Sequence, residues 1–320
     1  MAKDIIICGH QVTNIQTRDV WVCPTSQSPS AITNGWQNAA NSPLFNGLHL
    51  PYTYLFEWTK KSGVSKILAI EVNPNPQLSK MQYAWDALNW HTPTPISIGH
   101  IYGAKCIHKK NNGKTFMYIS GGQTNSSLTG EIIRSQDGIN WIAVSNVLPP
   151  IAGHNMISFN NMLIIAGGVN GSGGWYDLFY SVDDGVSWVA LSVFNVPQNN
   201  PCMVIHTDGI TGVEYLYIYG NAYNKVWRSS DGINYSVICN NQYSSGPRTN
   251  AIGVSDGDYM YSISGDIFGN VPCNEIYRSL DGKSWLIQPP PQPFTSTNYI
   301  HVGGRPNGSA TTCKLDSKWY

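Results

Sequence analysis

The chain carries little charge and no excess of either sign. Its 320 residues include 19 lysines and arginines against 19 aspartates and glutamates, so only 12% of the residues are charged. Proteins that bind nucleic acids gain affinity by placing basic side chains against phosphates. Because the net charge is zero and no basic run is present, we expect no nucleic-acid partner.

Long apolar runs are also missing. A membrane-spanning helix needs roughly 18 to 20 consecutive apolar residues, and no segment approaches that length. The first residues, MAKDIIICGHQ, lack the longer apolar core and the cleavage site of a signal peptide. We therefore expect synthesis in the cytoplasm without a signal peptide, and no insertion into a membrane.

Paired cysteines are a third absence. The seven cysteines are an odd number, and none of them forms a C-x-x-C pair. Several lie inside apolar stretches, where a free cysteine behaves as a small buried hydrophobe. This pattern favours reduced thiols in the core over disulfides or a metal site.

What the chain does have is a repeat. The stretches RSQDGINW, YSVDDGVSW, RSSDGINY and RSLDGKSW end at Trp141, Trp188, Tyr235 and Trp285, at intervals of 47, 47 and 50 residues. A degenerate copy, YAWDALNW, ends 51 residues earlier at Trp90. A further step of 54 residues reaches Trp36, where only the glycine and the tryptophan are kept.

Each repeat begins with strand hairpins. Apolar runs such as NMISF and MLIIAGG are separated by a short polar turn, and no segment has an amphipathic helical pattern over three turns. Four strands every 40 to 50 residues are typical of a β-propeller blade. We predict an all-β fold, a single β-propeller over residues 1–320.

The number of blades depends on how the ends close. DIIICGH resembles a second strand with no first strand before it, and residues 296–304 resemble an inner first strand. We predict six blades of four antiparallel strands, closed by pairing of the N- and C-terminal strands. The first blade would combine residues 4–44 with 296–304, and residues 305–320 would form a tail or extra strands. Seven blades are the alternative, because 310–320 also fits a further strand pair.

The repeated motif resembles the Asp-box, or BNR-like, repeat of sialidases and several unrelated propellers. Ser181, Asp183, Gly185 and Trp188 give S-x-D-x-G-x-x-W, and glycine pairs such as Gly121–Gly122 are similar to those of kelch repeats. An Asp-box resemblance implies a propeller fold and does not fix an activity. The structural motif comprises Ser135, Asp137, Gly138, Trp141, Ser181, Asp183, Gly185, Trp188, Ser229, Asp231, Gly232, Tyr235, Ser279, Asp281, Gly282 and Trp285.

The repeated aspartates are predicted to be structural. An aspartate beside a glycine makes a tight turn in which the carboxylate accepts backbone N–H groups. Catalytic carboxylates would occur at non-equivalent positions with different environments. A calcium site would need several oxygen ligands in one loop, and only Asp183 and Asp184 are adjacent. We expect no catalytic role and no metal for this motif.

Arginine usage argues against sialidase chemistry. The resemblance to sialidases would imply an arginine triad that holds a carboxylate, a Tyr/Glu nucleophile pair and an acid/base aspartate. Arg134, Arg228 and Arg278 occupy one repeat position before the motif serine, so they belong to the scaffold. We therefore predict that the protein is not an enzyme of this kind.

The loops between second and third strands vary, and they share one face of a propeller with the loops that join neighbouring blades. They are rich in Asn, Ser and Thr and carry aromatic residues, a combination that suits a neutral glycan. Three residues at the starts of inner strands lie on the same side. The predicted ligand-binding residues are Trp175, Tyr176, Tyr223, Asn125, His100, His154 and Arg248.

A zinc site and a phosphate loop fit this face less well. Histidines near one axis fit a zinc site, but His49, His100 and His154 have different registers relative to their strands. GGVNGSGG lacks the lysine and the helix that a phosphate loop needs. We expect neither a metal nor another cofactor.

Two functions remain open. The low charge, the Asn/Ser/Gly-rich loops and the single propeller resemble bacteriophage tail and receptor-binding proteins, which implies a virion protein that contacts other virion or assembly proteins, a neutral glycan, or both. The alternative is a glycan-active hydrolase or lyase, for which Glu131 and Asp177 are the acids available in the long loops.

Overall fold

The fold is known from a computed structural model of the chain. It describes residues 3–8, 11–12, 15–16, 20–24, 37–38, 53–59, 65–72, 75–84, 90–92, 94–100, 103–109, 112–124, 127–172, 178–193, 201–220, 223–249, 251–263, 265–267, 271–272, 275–288, 298–299 and 311–316.

The described residues form strands joined by turns and loops, with one short 3-10 helix at Pro76–Leu78. The strands in chain order are β1 Lys3–Cys8, β2 Gln11–Val12, β3 Ile15–Gln16, β4 Val20–Pro24, β5 Gln37–Asn38, β6 Thr53–Thr59, β7 Ser65–Glu71, β8 Lys80–Ala84, β9 Thr94–Pro95, β10 Ala104–Lys109, β11 Thr115–Ser120, β12 Ile132–Ser135, β13 Ile142–Ser145, β14 Ala152–Phe159, β15 Met162–Val169, β16 Leu178–Ser181, β17 Val189–Leu191, β18 Cys202–Thr207, β19 Glu214–Tyr219, β20 Val226–Ser229, β21 Ser236–Cys239, β22 Arg248–Thr249, β23 Ile252–Ser255, β24 Met260–Ile263, β25 Asp266–Ile267, β26 Val271–Pro272, β27 Ile276–Ser279, β28 Leu286–Gln288, β29 Asn298–Tyr299 and β30 Thr311–Asp316.

Five blades of antiparallel strands make up the propeller. They are blade A (β6–β9), blade B (β10–β13), blade C (β14–β17), blade D (β18–β21) and blade E (β23, β24, β27 and β28). Blade E is interrupted between β24 and β27 by β25 and β26. β25 pairs with β22 on one side and with β26 on the other, so the three strands form a small sheet of their own. The order of strands within each blade follows the chain, because each strand hairpins back onto the one before it.

The prediction of six blades, with seven as the alternative, is wrong: the blades number five. The six-blade prediction rested on a composite first blade made of residues 4–44 and 296–304. The copy at Trp36, counted mainly on its spacing, lies outside the described residues. In the structure the strand beside β1 comes from residues 311–316, so the predicted composite blade does not form.

The ends of the chain meet in a separate four-stranded sheet with the order β30-β1-β4-β5. Here Lys3 lies opposite Asp316 and Cys8 opposite Thr311. The strand beside β1 is thus β30 and not the predicted 296–304, of which β29 pairs with β2 in a small three-stranded sheet. β30 also approaches β6 and β7 of blade A and β23 of blade E, so this sheet lies between the last blade and the first.

The core lies between neighbouring blades. Residues 67–70, 117–120, 163–166, 216–219 and 260–263 of the second strands are buried without interruption. A strand whose sheet is covered on both faces has no solvent side, so its sequence is mostly apolar and does not alternate. The fourth strands of blades B to E, at the outer edge, begin with exposed residues.

Two ends of the propeller can be distinguished from the strand order. The loops from second to third strands and from fourth strands to the next blade lie on one side, called here the mouth face. The loops from first to second and from third to fourth strands lie on the opposite side, called here the box face because it carries the repeated motif. Among the described residues, no helix has the length and apolar character needed to cross a bilayer.

Candidate functional site

Of the predicted ligand-binding residues, Trp175, Tyr176 and Asn125 lie outside the described residues. The others are described and differ in their exposure to solvent. Tyr223, in the loop between the second and third strands of blade D, is 44% exposed on the mouth face. His100, His154 and Arg248 are described and buried.

His100 is bound to a carboxylate at the mouth face of blade B. Its Nε2 lies 2.9 Å from Oε2 of Glu131, and because a carboxylate can only accept, the imidazole donates. Burial lowers the pKa of His100, although the charge and the hydrogen bond of Glu131 act in the opposite direction. The imidazole is therefore neutral near pH 7, while Glu131 lies within reach of solvent with about a third of its side chain exposed.

His154 belongs to the interior of the blade and not to the entrance of a channel. It lies in β14 with 2% exposure, and its Nε2 is 2.9 Å from Oγ of Ser120 in the neighbouring blade. This contact joins the first strand of blade C to the second strand of blade B. Among the described residues, no three His, Cys, Asp or Glu side chains come together as a set of metal ligands.

Arg248 lies at the centre of a buried polar network between blades D and E. Its guanidinium lies over the rings of Tyr243 and Tyr277, 4.9 Å from each centroid. It donates to Glu275 and to Oγ of Ser245. Glu275 also accepts from the hydroxyl of Tyr277 at 3.1 Å. The cation, the carboxylate and the rings therefore hold one another in place.

His100 and Arg248 occupy the same repeat position. Ala104 pairs with Ser120, and Ile252 pairs with Ile263 at the equivalent place in blade E; His100 and Arg248 each come four residues earlier. Their acidic partners are equivalent too, because Glu131 and Glu275 each come four residues before the motif serine. One position holds a titratable donor in blade B and a permanent cation in blade E.

The position of the acidic partners is charged in every blade. Counted four residues before the motif serine, or before Ala84 in blade A, it holds Lys80, Glu131, Asp177, Lys225 and Glu275. Because only 12% of the residues are charged, a charged residue at the same position in every blade is a strong signal of a repeated feature. Aligning the repeats on the serine would have found Glu275, which the sequence analysis missed, and would have shown that Glu131 and Asp177 belong to a repeated slot.

The repeated motif forms a self-contained turn on the box face. In blade D the Oγ of Ser229 accepts from the N–H of Gly232 at 2.8 Å and donates to Asp231. Asp231 then accepts the backbone N–H groups of Ile233 and Asn234. The same bonds occur around Ser135, Ser181 and Ser279. Each of these aspartates accepts from its motif serine and from at least one backbone N–H that follows it, and so helps to hold the turn.

The turn also fastens each blade to the one before it. The indole N–H of Trp285 donates to the carbonyl of Gly282 at 3.0 Å, and its ring lies 4.9 Å from that of Tyr219 in blade D. Trp141 likewise contacts Phe56 of blade A. The tryptophan therefore packs in the space between two sheets, where aromatic side chains bury the most surface.

Two equivalent histidines bind the box-face turns of the next blade. His108 of blade B donates from Nε2 to Asp184 and contacts Ser158 through Nδ1. His206 of blade D contacts Ser255 in the same way and donates to the carbonyl of Leu280. Their role is to join neighbouring blades.

The three repeated arginines stack on aromatic rings of their own blades. The guanidinium carbons of Arg134, Arg228 and Arg278 lie 4.7, 4.3 and 4.6 Å from the ring centroids of Phe116, Tyr215 and Tyr259. All three are on third strands, so they do not converge on one point. The arrangement is a cation–π contact repeated from blade to blade.

On the mouth face the carboxylates of Glu131 and Glu275 are therefore each bound to a buried donor, and the box face carries the repeated structural turns. None of the curated proteins matches the chain. Residues 85–231 match the model of a protein family described as the DUF6242 beta propeller domain. This match and the five blades together identify the chain as a β-propeller protein.

Proposed function

We propose that the chain is a non-enzymatic binding propeller that holds its partner on the mouth face. The observation that carries the proposal is the state of the two described mouth carboxylates, Glu131 and Glu275. Each accepts a hydrogen bond from a buried nitrogen donor, His100 in one case and Arg248 in the other. Side chains locked in this way suit a rigid recognition surface.

The same contacts disfavour glycosidase chemistry. A glycosidase needs one carboxyl group that is protonated and one that is ionised. A carboxylate that accepts from an arginine is stabilised in its ionised form, which makes it a poor proton donor. Tyr277, which donates to Glu275, has 1% exposure and cannot reach a substrate as a nucleophile.

The partner that we propose is a neutral glycan or another protein of the same assembly, and the assembly is a virus particle. Support comes from the low charge of the chain and from the Asn-, Ser- and Gly-rich composition of residues 123–131 and 168–178. Tyr223 adds an exposed aromatic ring to this face. Aromatic rings stack on the C–H faces of sugars, and amides bind their hydroxyls.

Binding and hydrolysis are separated by one pair of measurements on the same polysaccharides. Immobilised neutral polysaccharides are expected to retain the native protein, and incubation with it is expected to release no reducing ends. Release of reducing ends that is lost in Glu131→Gln or Asp177→Asn would overturn the non-enzymatic proposal in favour of a hydrolase or a lyase. A folded protein that binds no polysaccharide would leave a protein partner as the proposal.

The virion assignment has its own test. Mass spectrometry of purified virus particles from cells that produce this chain is expected to detect it in a fixed ratio to the other structural proteins. Its absence from particles, with the chain present in the cell lysate, would contradict the assignment.

A further inference from the structure

One junction between blades is polar where the equivalent junction is apolar. Between blades B and C, four positions hold Leu148, Ile151, Ile165 and Phe179, which pack in one apolar cluster. The same four positions between blades D and E hold Gln242, Arg248, Ser262 and Tyr277. Leu148 and Gln242 each follow the motif aromatic by seven residues, and Ile165 and Ser262 occupy the same place in the second strand.

These substitutions build one connected network. Besides the contacts of Arg248, the hydroxyl of Tyr243 lies 2.6 Å from Oγ of Ser262. The backbone N–H of Tyr243 donates to Asn224 at 2.7 Å. Asn224 also accepts the backbone N–H of Gln242 through its carbonyl. The loops on both sides of the junction are thereby fixed to its interior.

A buried polar network of this kind lowers the stability of the folded protein relative to an apolar filling. Buried polar groups lose their hydration, and an apolar filling of equal volume is often at least as stable. The chain itself uses the apolar filling between blades B and C. Polar residues at positions that are apolar elsewhere in a repeat are expected where a protein has a functional site.

One carboxylate oxygen of the network has no donor among the described residues. Ser245, Arg248 and Tyr277 all donate to Oε2 of Glu275, and none of the described residues donates to Oε1. Glu275 is held through Oε2, and its side chain is 31% exposed directly before β27, on the mouth face. Nε2 of Gln242 has no acceptor among the described residues.

We propose that this corner of the mouth face, formed by Glu275, Ser245 and Tyr223, is a binding site for a hydroxyl-bearing neutral sugar. This inference rests on the proposed function and places the glycan at the junction of blades D and E. Oε1 of Glu275 accepts a sugar hydroxyl, and Tyr223, in the loop next to Asn224, supplies an exposed ring for the sugar face.

Charge favours a neutral ligand here. The guanidinium of Arg248 compensates the carboxylate of Glu275, so the corner has no net charge with which to attract an amine. A neutral hydroxyl needs only a fixed acceptor, and a carboxylate is a strong one. An acidic sugar would meet the negative side of the pair.

The test measures binding of neutral oligosaccharides on a glycan array and compares two variants with two controls. Tyr223→Ala removes the exposed ring and replaces none of the buried network residues, and Glu275→Gln keeps the shape of the side chain but changes the acceptor. The controls are Leu78→Ala, exposed on the corresponding loop of blade A, and Glu214→Gln, exposed on the box face. Thermal unfolding of each variant reports on folding.

Both site variants are expected to lose at least tenfold in affinity for the sugars that the native protein binds, and both controls are expected to match the native protein. Native binding that survives Tyr223→Ala in a folded variant would overturn this site and leave the proposed function standing. Failure of the native protein to bind any neutral glycan would reject the glycan partner, and the site with it.

Discussion

Gly282 of blade E lies directly against the ring of Tyr217 in blade D. A Cβ atom built on Gly282 would stand 2.6 Å from Cε1 of Tyr217, which is too close for any side chain. Gly282 also has a positive φ of 77°, which disfavours other residues. The glycine of the motif thus serves the turn and the contact between blades at once.

Gly282→Ala is expected to destabilise the protein more than Gly257→Ala. Both positions have positive φ, which costs alanine about 1 to 2 kcal/mol, but Gly257 has open space around it. Crowding against the buried Tyr217 adds about 1 to 3 kcal/mol. Urea unfolding of the two variants measures the difference, and equal losses would mean that the contact between blades adjusts freely.

Asp231→Asn should lower stability at neutral pH and matter less in acid. Burial alone would raise the pKa of Asp231, but hydrogen bonds from Asn234, Ile233 and Ser229 outweigh it and hold the pKa well below the usual value. A carboxylate with a depressed folded pKa contributes stability above its unfolded pKa and loses it as the pH falls through the folded one.

We expect Asp231→Asn to cost about 1 to 2 kcal/mol at pH 7, with the difference from the native protein shrinking below pH of about 4. Chemical unfolding at several pH values measures this. Asp258→Asn, at an exposed aspartate in the turn before β24, is the matched control and should change little. A loss that stays constant down to pH 2 would show that the charge of Asp231 plays no part.

His100 is expected to make the fold sensitive to mild acid. Burial lowers the pKa of His100, so the unfolded chain takes up a proton at a higher pH than the folded one. Stability should therefore fall as the pH drops below about 6.5, the value in an unfolded chain. Replacing His100 with Gln keeps a donor for Glu131 and removes the titration.

Thermal unfolding at pH 7 and pH 5 compares the native protein with His100→Gln. The drop in melting temperature between the two pH values should be smaller in the variant, whereas His91→Gln, at an exposed histidine, should leave it unchanged. An identical drop in all three proteins would assign the acid sensitivity to other groups.

Arg248→Lys should be far more damaging than Arg134→Lys. A lysine at position 248 cannot stack on both Tyr243 and Tyr277 while donating to Glu275, because its charge is a point at the end of a flexible chain. We expect a loss of about 3 kcal/mol, typical of a broken buried pair, and less than about 1 kcal/mol for the partly exposed Arg134. Similar losses of stability in the two variants would mean that Arg248 contributes no more than an arginine stacked on one ring, such as Arg134.

The repeated part of the fold was predictable because its signals are local. The S-x-D-G turn needs residues close together in the sequence, and the buried second strands show as apolar runs such as MLIIAGG. The closure at the ends of the chain was not predictable in the same way. It depends on the pairing of β1 with β30, some 300 residues apart, and the sequences of these strands show no motif that reports a partner at that distance.

The candidate site was only partly accessible from the sequence. Arg248 was selected because it precedes an inner strand, but its acidic partner Glu275 was missed because the loops were compared by composition and not by position. Contacts such as Tyr243 with Ser262 cross a junction between blades. In the sequence these residues look like ordinary strand and loop residues, because they come into contact only when the two blades pack together.

The pairing of Lys3–Cys8 with Thr311–Asp316 has a consequence for the order of folding. During synthesis, blades A to E can each form hairpins as soon as their own residues are available, since those contacts are local. The terminal sheet must wait for the last strand, and closing so long a loop is entropically slow. The ring therefore remains an open arc, with the edge of β1 unpaired on one side, until residue 316 has been made.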